Sequence, residues 1–146
     1  MSAIAGELVG ARVVDLFAGS GALGLEALSR GATEVTFVEN AASALRVLEK
    51  NIAALGPAPG AAKVVRAEAL AFAAGLTPFR FDLALADPPY EQGHVQRLVE
   101  IHARSRFARL LCIEHSRDEP AEGGQRLRQR RYGDTLLTFL SVEDES

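Results

Sequence analysis

A single cysteine, Cys112, is all the chain carries, so no internal disulfide can form. A lone thiol fits a reducing, cytoplasmic setting, and its place in the apolar run 110–113 marks it as a core side chain. No long apolar run opens the chain either. Glu7, Arg12 and Asp15 interrupt the first stretch, which also lacks a basic start, so neither a signal peptide nor a membrane span is readable. A basic excess is missing as well. The formal net charge is −3, whereas a protein that wraps bare RNA usually carries a broad basic face. His94 and His102 have no cysteine or carboxylate at metal-ligand spacing, so no metal is expected. His115, beside Glu114, reads as a packing or orienting residue. There is no repeat. At 146 residues, 48% hydrophobic and 24% charged, the composition is that of a globular chain, and one domain over residues 1–146 is expected.

What is present alternates between strand and helix. A buried strand is expected over residues 12–18, followed by the turn Gly19-Ser20-Gly21 and a helix over 22–30, closed by Gly31. Residues 34–39 are β-branched and aromatic and read as a second strand. Leu45, Leu48, Ile52 and Leu55 recur at helical spacing, which predicts a helix over 41–55 with Asn40 as its N-cap. After a proline- and glycine-bearing loop over 56–60 come a strand (62–66), an alanine-rich helix (68–74), a strand (81–86), a helix (91–103) and a strand (109–114). Residues 118–124 read as a polar, flexible connection. A hairpin, 126–132 and 135–142, turns at Gly133-Asp134. This order predicts an α/β fold whose mainly parallel sheet takes in an antiparallel strand from the C-terminal β-hairpin.

Three features carry chemistry. Gly19-x-Gly21-x-x-Gly24 follows a strand, with Glu39 twenty residues beyond Gly19. Glycines let the backbone approach a ligand, and a carboxylate at the next strand's end can accept ribose hydroxyls. The same pattern serves NAD. Asp15 favours a different ligand: in the first strand it can hold an ammonium group, while a pyrophosphate turn gains nothing from a nearby carboxylate. The third feature is Asp87-Pro88-Pro89-Tyr90 after an apolar strand. An exocyclic base amine is a poor nucleophile because its lone pair is delocalised into the ring. The Asp87 carboxylate and the Pro88 carbonyl can each accept one of its N–H bonds, which favours a more tetrahedral nitrogen. The prolines fix φ and remove donors. The Tyr90 ring can stack on the base, a contact worth about 1–3 kcal/mol, and Pro89 stiffens the same wall. The Gly19 turn, Glu39, Glu68 and Asp87 all fall at strand ends, where open α/β sheets bind ligands. Arg126, Arg128, Arg130 and Arg131 crowd one segment, as a solvated edge strand or as phosphate contacts.

The run Asp15-Leu16-Phe17-Ala18-Gly19-Ser20-Gly21-Ala22-Leu23-Gly24-Leu25-Glu26-Ala27, with Phe37-Val38-Glu39, Asp87-Pro88-Pro89-Tyr90, Glu114-His115-Ser116 and Arg131-Tyr132-Gly133-Asp134-Thr135, resembles the RsmD-type family of 16S ribosomal RNA guanine-N2 methyltransferases. The resemblance covers nearly the whole chain. It implies a class I, Rossmann-like methyltransferase fold, S-adenosylmethionine as cofactor, and N2 of a guanine in small-subunit ribosomal RNA as acceptor. It places Asp15 and Gly19, Ser20 and Gly21 at the methionine part and Glu39 at the ribose. Glu68 and Ala69 flank the adenine, and Ala18, Asn40 and Asp87 complete the cofactor contacts. Asp87, Pro88 and Tyr90 are implied as the catalytic residues, with Pro89, Tyr90, Arg130 and Arg131 holding the RNA. Family members are thought to act on assembled subunits, which suits an acidic chain.

Two departures from the family pattern bear on function. Glu68 stands where aspartate is usual, and the extra methylene moves the carboxylate by roughly 1.5 Å. Only Met1 to Gly10 precede the first strand, where family members normally carry a longer basic segment, so weakened RNA binding is expected. Adenine-N6 methylation, a cofactor-binding remnant without turnover, and an NAD-dependent oxidoreductase are the competing readings.

Overall fold

The computed structural model describes residues 4–90, 92–116, 118–119, 121 and 127–142. Seven strands form one sheet: β1 (Arg12–Leu16), β2 (Glu34–Glu39), β3 (Ala62–Arg66), β4 (Phe81–Ala86), β5 (Ala108–Ser116), β6 (Leu127–Tyr132) and β7 (Thr135–Ser141). Their order is β3-β2-β1-β4-β5-β7-β6. The first five run parallel, and β7 lies antiparallel to both β5 and β6. The hairpin therefore inserts its second strand into the sheet, giving the Rossmann-like arrangement that the sequence predicts.

Helices cover both faces, which is why the central strands read as unbroken apolar runs. On one face α4 (Ala69–Ala74) and α5 (His94–Ser105) pack over Val14, Leu16, Phe81 and Ile113. On the other, α1 (Ala5–Leu8), α2 (Ala22–Ser29) and α3 (Ala42–Leu55) pack over Val13, Phe37, Leu83 and Leu85. Strand alternation sends Val13 to one side and Val14 and Leu16 to the other. Asp15 is the polar interruption, 1% exposed. At the opposite end of the strands, the Arg12 guanidinium forks onto Asp82 at 3.1 and 3.2 Å, and Asp82 also accepts the Arg12 backbone N–H. This charged clasp holds the Asp82 carboxyl below its ordinary range.

Several boundaries differ from the sequence reading, each for a local reason. β1 ends at Leu16, two residues early, because Phe17 turns to φ 58°. Asn40 is not the cap of α3; Ala41 is, without a side-chain bond. Glu39 serves instead, its Oε2 accepting the Asn40 and Ala41 N–H groups at 3.0 and 2.9 Å. α5 starts at His94, after Gly93 at φ 73°, rather than at 91, which lies outside the described residues. β5 is longer than expected because β7 pairs with it from Leu110↔Ser141 to Ser116↔Thr135. α1 was not expected; its Leu8 is fully buried. Arg126 and most of 118–124 lie outside the described residues.

Candidate active site

Each parallel strand delivers a residue to the same end of the sheet, and chain reversal on either side of β1 opens a crevice there. The first wall is the turn after β1. Phe17 takes a left-handed backbone, strain of roughly 1–2 kcal/mol for a residue with a Cβ. Its ring meets the imidazole of His94 at 5.3 Å between centroids. Gly19 and Gly21 also have positive φ, 55° and 87°. The turn is tied down where it begins. Ala18 N–H donates to the Val38 carbonyl at 3.0 Å, and Gly19 N–H donates to Glu39 Oε1 at 2.8 Å.

Behind the turn sits Asp15, whose Oδ2 accepts the Gly24 N–H at 3.0 Å. Burial pushes its carboxyl up to about 8; the Gly24 hydrogen bond opposes this, and the charges of Asp87 and Glu39 add to it. α2 lies so close that a Cβ on Gly24 would strike the Phe37 ring, with Val35 Cγ1 at 2.9 Å and Asp15 Oδ2 at 3.0 Å. Those partners are strand side chains in the core and cannot swing away. Gly24→Ala is therefore expected to lower stability by about 1–3 kcal/mol in a urea denaturation series. An unchanged midpoint would show that α2 can lift freely.

The crevice holds a cavity of about 510 Å³, lined by Phe17, Glu39, Asn40, Glu68, Ala69, His94 and the whole of Asp87 to Tyr90, among others. Three carboxylates face it, with no lysine or arginine among its lining residues. Glu68 caps α4 by accepting the Leu70 and Ala71 N–H groups, so its longer side chain folds back onto the helix. Pro88 is buried, whereas Asp87, Pro89 and Tyr90 are exposed, Tyr90 at 61%. Although it reaches solvent, Asp87 is crowded by protein atoms; this desolvation, and then the charge of Glu114, raise its carboxyl above the ordinary value.

The structure thus brings together Glu39, Asn40, Glu68, Ala69 and Asp87 to Tyr90. Ala18, Gly19, Ser20 and Gly21 shape the turn, and Asp15 stands behind it; none of these five lines the cavity. The Ser20 carbonyl is held by Asn51 Nδ2 at 2.9 Å. Arg130 and Arg131 lie on β6, the exposed sheet edge, with Arg131 Nε donating to the Gly133 carbonyl at 2.9 Å.

Phe17 and His94 are cavity residues that sequence reasoning passed over. His94 Nε2 pairs with Gln92 Oε1 at 3.1 Å, while its Nδ1 is buried without a partner. Nothing in the sequence joins Phe17 to a histidine 77 positions later; only the fold does. His102 and His115 are structural. His102 Nε2 meets the Ala108 carbonyl at 2.8 Å, and His115 bridges Thr138 Oγ1 and the Glu119 carbonyl. Cys112 is buried, which pushes its thiol up to about 12. Among the described residues no cluster of His, Cys, Asp or Glu is arranged to hold a metal, and no helix is long and apolar enough to cross a membrane.

Comparison with known proteins places this geometry. The family described as Conserved hypothetical protein 95 matches residues 1–141. "Ribosomal RNA small subunit methyltransferase D" of Escherichia coli K12 is 40% identical over 95 residues, 64% of this chain and 46% of that protein. The Haemophilus influenzae protein of the same name is 32% identical over 111 residues, 73% of this chain and 58% of that one. The chain thus spans about half the length of the curated relatives it matches. Among solved structures, "Putative methyltransferase yhhF from Escherichia coli" aligns with a TM-score of 0.82 at 28% identity, covering 99% of this chain and 82% of that one. A Haemophilus influenzae structure described as a putative methylase aligns with a TM-score of 0.82 at 26% identity, covering 97% and 93%. The fold is that of these methyltransferases.

Proposed function

The chain belongs to the Conserved hypothetical protein 95 family, the RsmD-type family that its sequence resembles, and we propose that it uses S-adenosylmethionine to methylate N2 of a guanine in small-subunit ribosomal RNA. The observation that carries this reading is the charge of the cavity. Glu39, Glu68 and Asp87 line it, Asp15 stands behind it, and its described lining residues include no lysine or arginine. Such a field favours a ligand bearing cationic sulfonium and ammonium groups and opposes the pyrophosphate of NAD.

S-Adenosylmethionine, when bound, supplies a methyl group on a cationic sulfur. The protein's own residues then have distinct tasks. Glu39 fixes the glycine turn through Gly19 and, with Oε2 taken by Asn40 and Ala41, keeps one lone pair on Oε1 for a ribose hydroxyl. Asp15 braces α2 through Gly24 and, when ionised, adds negative potential to the methionine end of the site. The Asp87 carboxylate and the Pro88 carbonyl accept the two N–H bonds of the acceptor amine, holding it in line, and positioning carries much of the acceleration. With its carboxyl above the ordinary range, Asp87 is suited to take the proton that the amine gives up. Tyr90, largely exposed, is free to stack on the base. The relatives named as small-subunit ribosomal RNA methyltransferases support RNA within that subunit as the partner, with Arg130 and Arg131 contacting phosphate at the sheet edge.

Calorimetric titration separates the cofactor classes. Saturable binding of S-adenosylhomocysteine and none of NAD is expected; saturable binding of NAD alone would overturn the reading. Transfer of a labelled methyl group to unmodified small-subunit particles, in preference to naked RNA or DNA, tests the substrate.

A further inference from the structure

We propose that Glu114 selects guanine: its carboxylate accepts the hydrogen bond of the ring N–H beside the acceptor amine, with the base seated in the cavity at the ends of β4, β5 and β7. The inference deepens the function proposed above and rests on it. β4 and β5 pair in parallel with Leu85↔Cys112 and Ala86↔Ile113. Asp87 directly follows β4, and Glu114 continues β5 on the face that carries Cys112. Two carboxylates thus stand near the carboxyl ends of neighbouring strands. The charge of Glu114 helps to raise the Asp87 carboxyl, after the desolvation that contributes most.

Beside this pair lies a second cavity of about 370 Å³, within the range of small-ligand sites. Its walls include Leu23, Leu85, Cys112, Tyr132 and Phe139, and among its described lining residues Glu114 is the one charged side chain. Apolar and aromatic walls with one acceptor suit a planar base presenting a donor edge. Asp87 itself lines the first cavity, which would hold the cofactor. The amine-holding residue therefore lies between a site for the donor and a site for the acceptor. His115 anchors this part of β5 through Thr138 of β7 and the Glu119 carbonyl, fixing the strand that carries Glu114.

The chemistry discriminates between bases. Guanine carries its exocyclic amine beside a ring N–H, two adjacent donors. Adenine and cytosine carry theirs beside a bare ring nitrogen, an acceptor. An ionised carboxylate only accepts, so Glu114 completes a hydrogen bond with guanine and faces a lone pair on either of the others. A site built to pair with a donor rejects an analogue lacking it more strongly than an apolar pocket rejects a change of shape.

The test uses the intact chain and small-subunit particles in which the methylated guanine, located by mass spectrometry of the wild-type product, is replaced by 2-aminopurine. That base keeps the amine and lacks the ring proton. Wild type is expected to prefer guanine by about 10- to 100-fold in kcat/KM. Glu114→Ala should bring the ratio close to one, and Glu114→Gln, whose amide presents either oxygen or nitrogen, should reduce it. Affinity for S-adenosylhomocysteine should stay at the wild-type value in both. If Glu114→Ala abolishes transfer to both bases, the ratio in Glu114→Gln decides. A wild-type ratio in either active variant overturns the inference, as does a parallel loss of cofactor affinity, which would mark Glu114 as structural. Wild-type protein that binds S-adenosylhomocysteine but methylates no guanine would defeat the underlying function, and this inference with it.

Discussion

Asp87→Ala is expected to lower methyl transfer to small-subunit particles by roughly 100- to 1,000-fold, the range of a positioned acid–base group, while leaving the fold intact. The structural grounds for both halves are separate. Asp87 is exposed, so its removal opens no cavity and takes little from the core. Its neighbours Pro88 and Ala86 are buried and hold the strand end in place without it. The loss should therefore fall on kcat, with thermal stability near the wild-type value. Asp87→Asn keeps one carbonyl acceptor but cannot take a proton, and should retain more activity than the alanine variant. Because the Asp87 charge also helps to hold the Asp15 carboxyl high, both variants should lower the Asp15 pKa. Full transfer by Asp87→Ala would remove this residue from the amine-holding role.

Asp15→Asn should act with opposite signs on stability and on ligand binding. The folded-state pKa of Asp15 is raised from 3.8 to about 8. Between those values the folded chain holds a proton that the unfolded chain has lost, so stability falls as pH rises through that window. Each pKa unit of difference corresponds to about 1.4 kcal/mol at most. Asparagine keeps an oxygen for the Gly24 N–H and carries no charge, so this slope should vanish. The variant is expected to match wild type only below about pH 4, to exceed its Tm already at pH 5, and to do so increasingly toward pH 8. In the same variant the negative potential behind the turn is gone, and affinity for S-adenosylhomocysteine, which carries the ammonium, should fall by roughly two- to fivefold, the order of a charge that acts without touching the ligand. Thermal melts from pH 5 to 9 and calorimetry at pH 8 read the two effects. Parallel pH–Tm curves for the two proteins would show that Asp15 is ionised in the folded chain.

The parts of this fold legible in the sequence are those fixed by local pattern. The apolar runs of β1, β2 and β4 announce strands covered on both faces, and Gly133-Asp134 announces a hairpin. Glu39 and Asp87 stand at strand ends because they directly follow or close such runs. What escaped depends on tertiary contact. The left-handed Phe17 cuts β1 short although its sequence continues apolar. Asn40 looks like a cap, yet the Glu39 side chain one residue earlier collects the same N–H groups. Glu68 reads as a ligand for adenine, while in the fold it caps α4. His94 has no local motif, and its place in the cavity follows only from where α5 begins. The arginines of β6 read as an edge or as an RNA contact, and the structure puts Arg130 and Arg131 on the edge.

The position of β7 also bears on how the molecule is made. Among the described strands it comes seventh in chain order but sixth across the sheet, clasped between β5 and β6. During synthesis from the N-terminus, β5 therefore waits with one edge unpaired, its Leu110, Leu111, Cys112 and Ile113 side chains already committed to the core. Such an edge is a template for intermolecular pairing. Completion of the barrier against aggregation thus falls to residues 135–141, synthesised after the other six strands, and damage there should show first as insoluble product rather than as a slower enzyme.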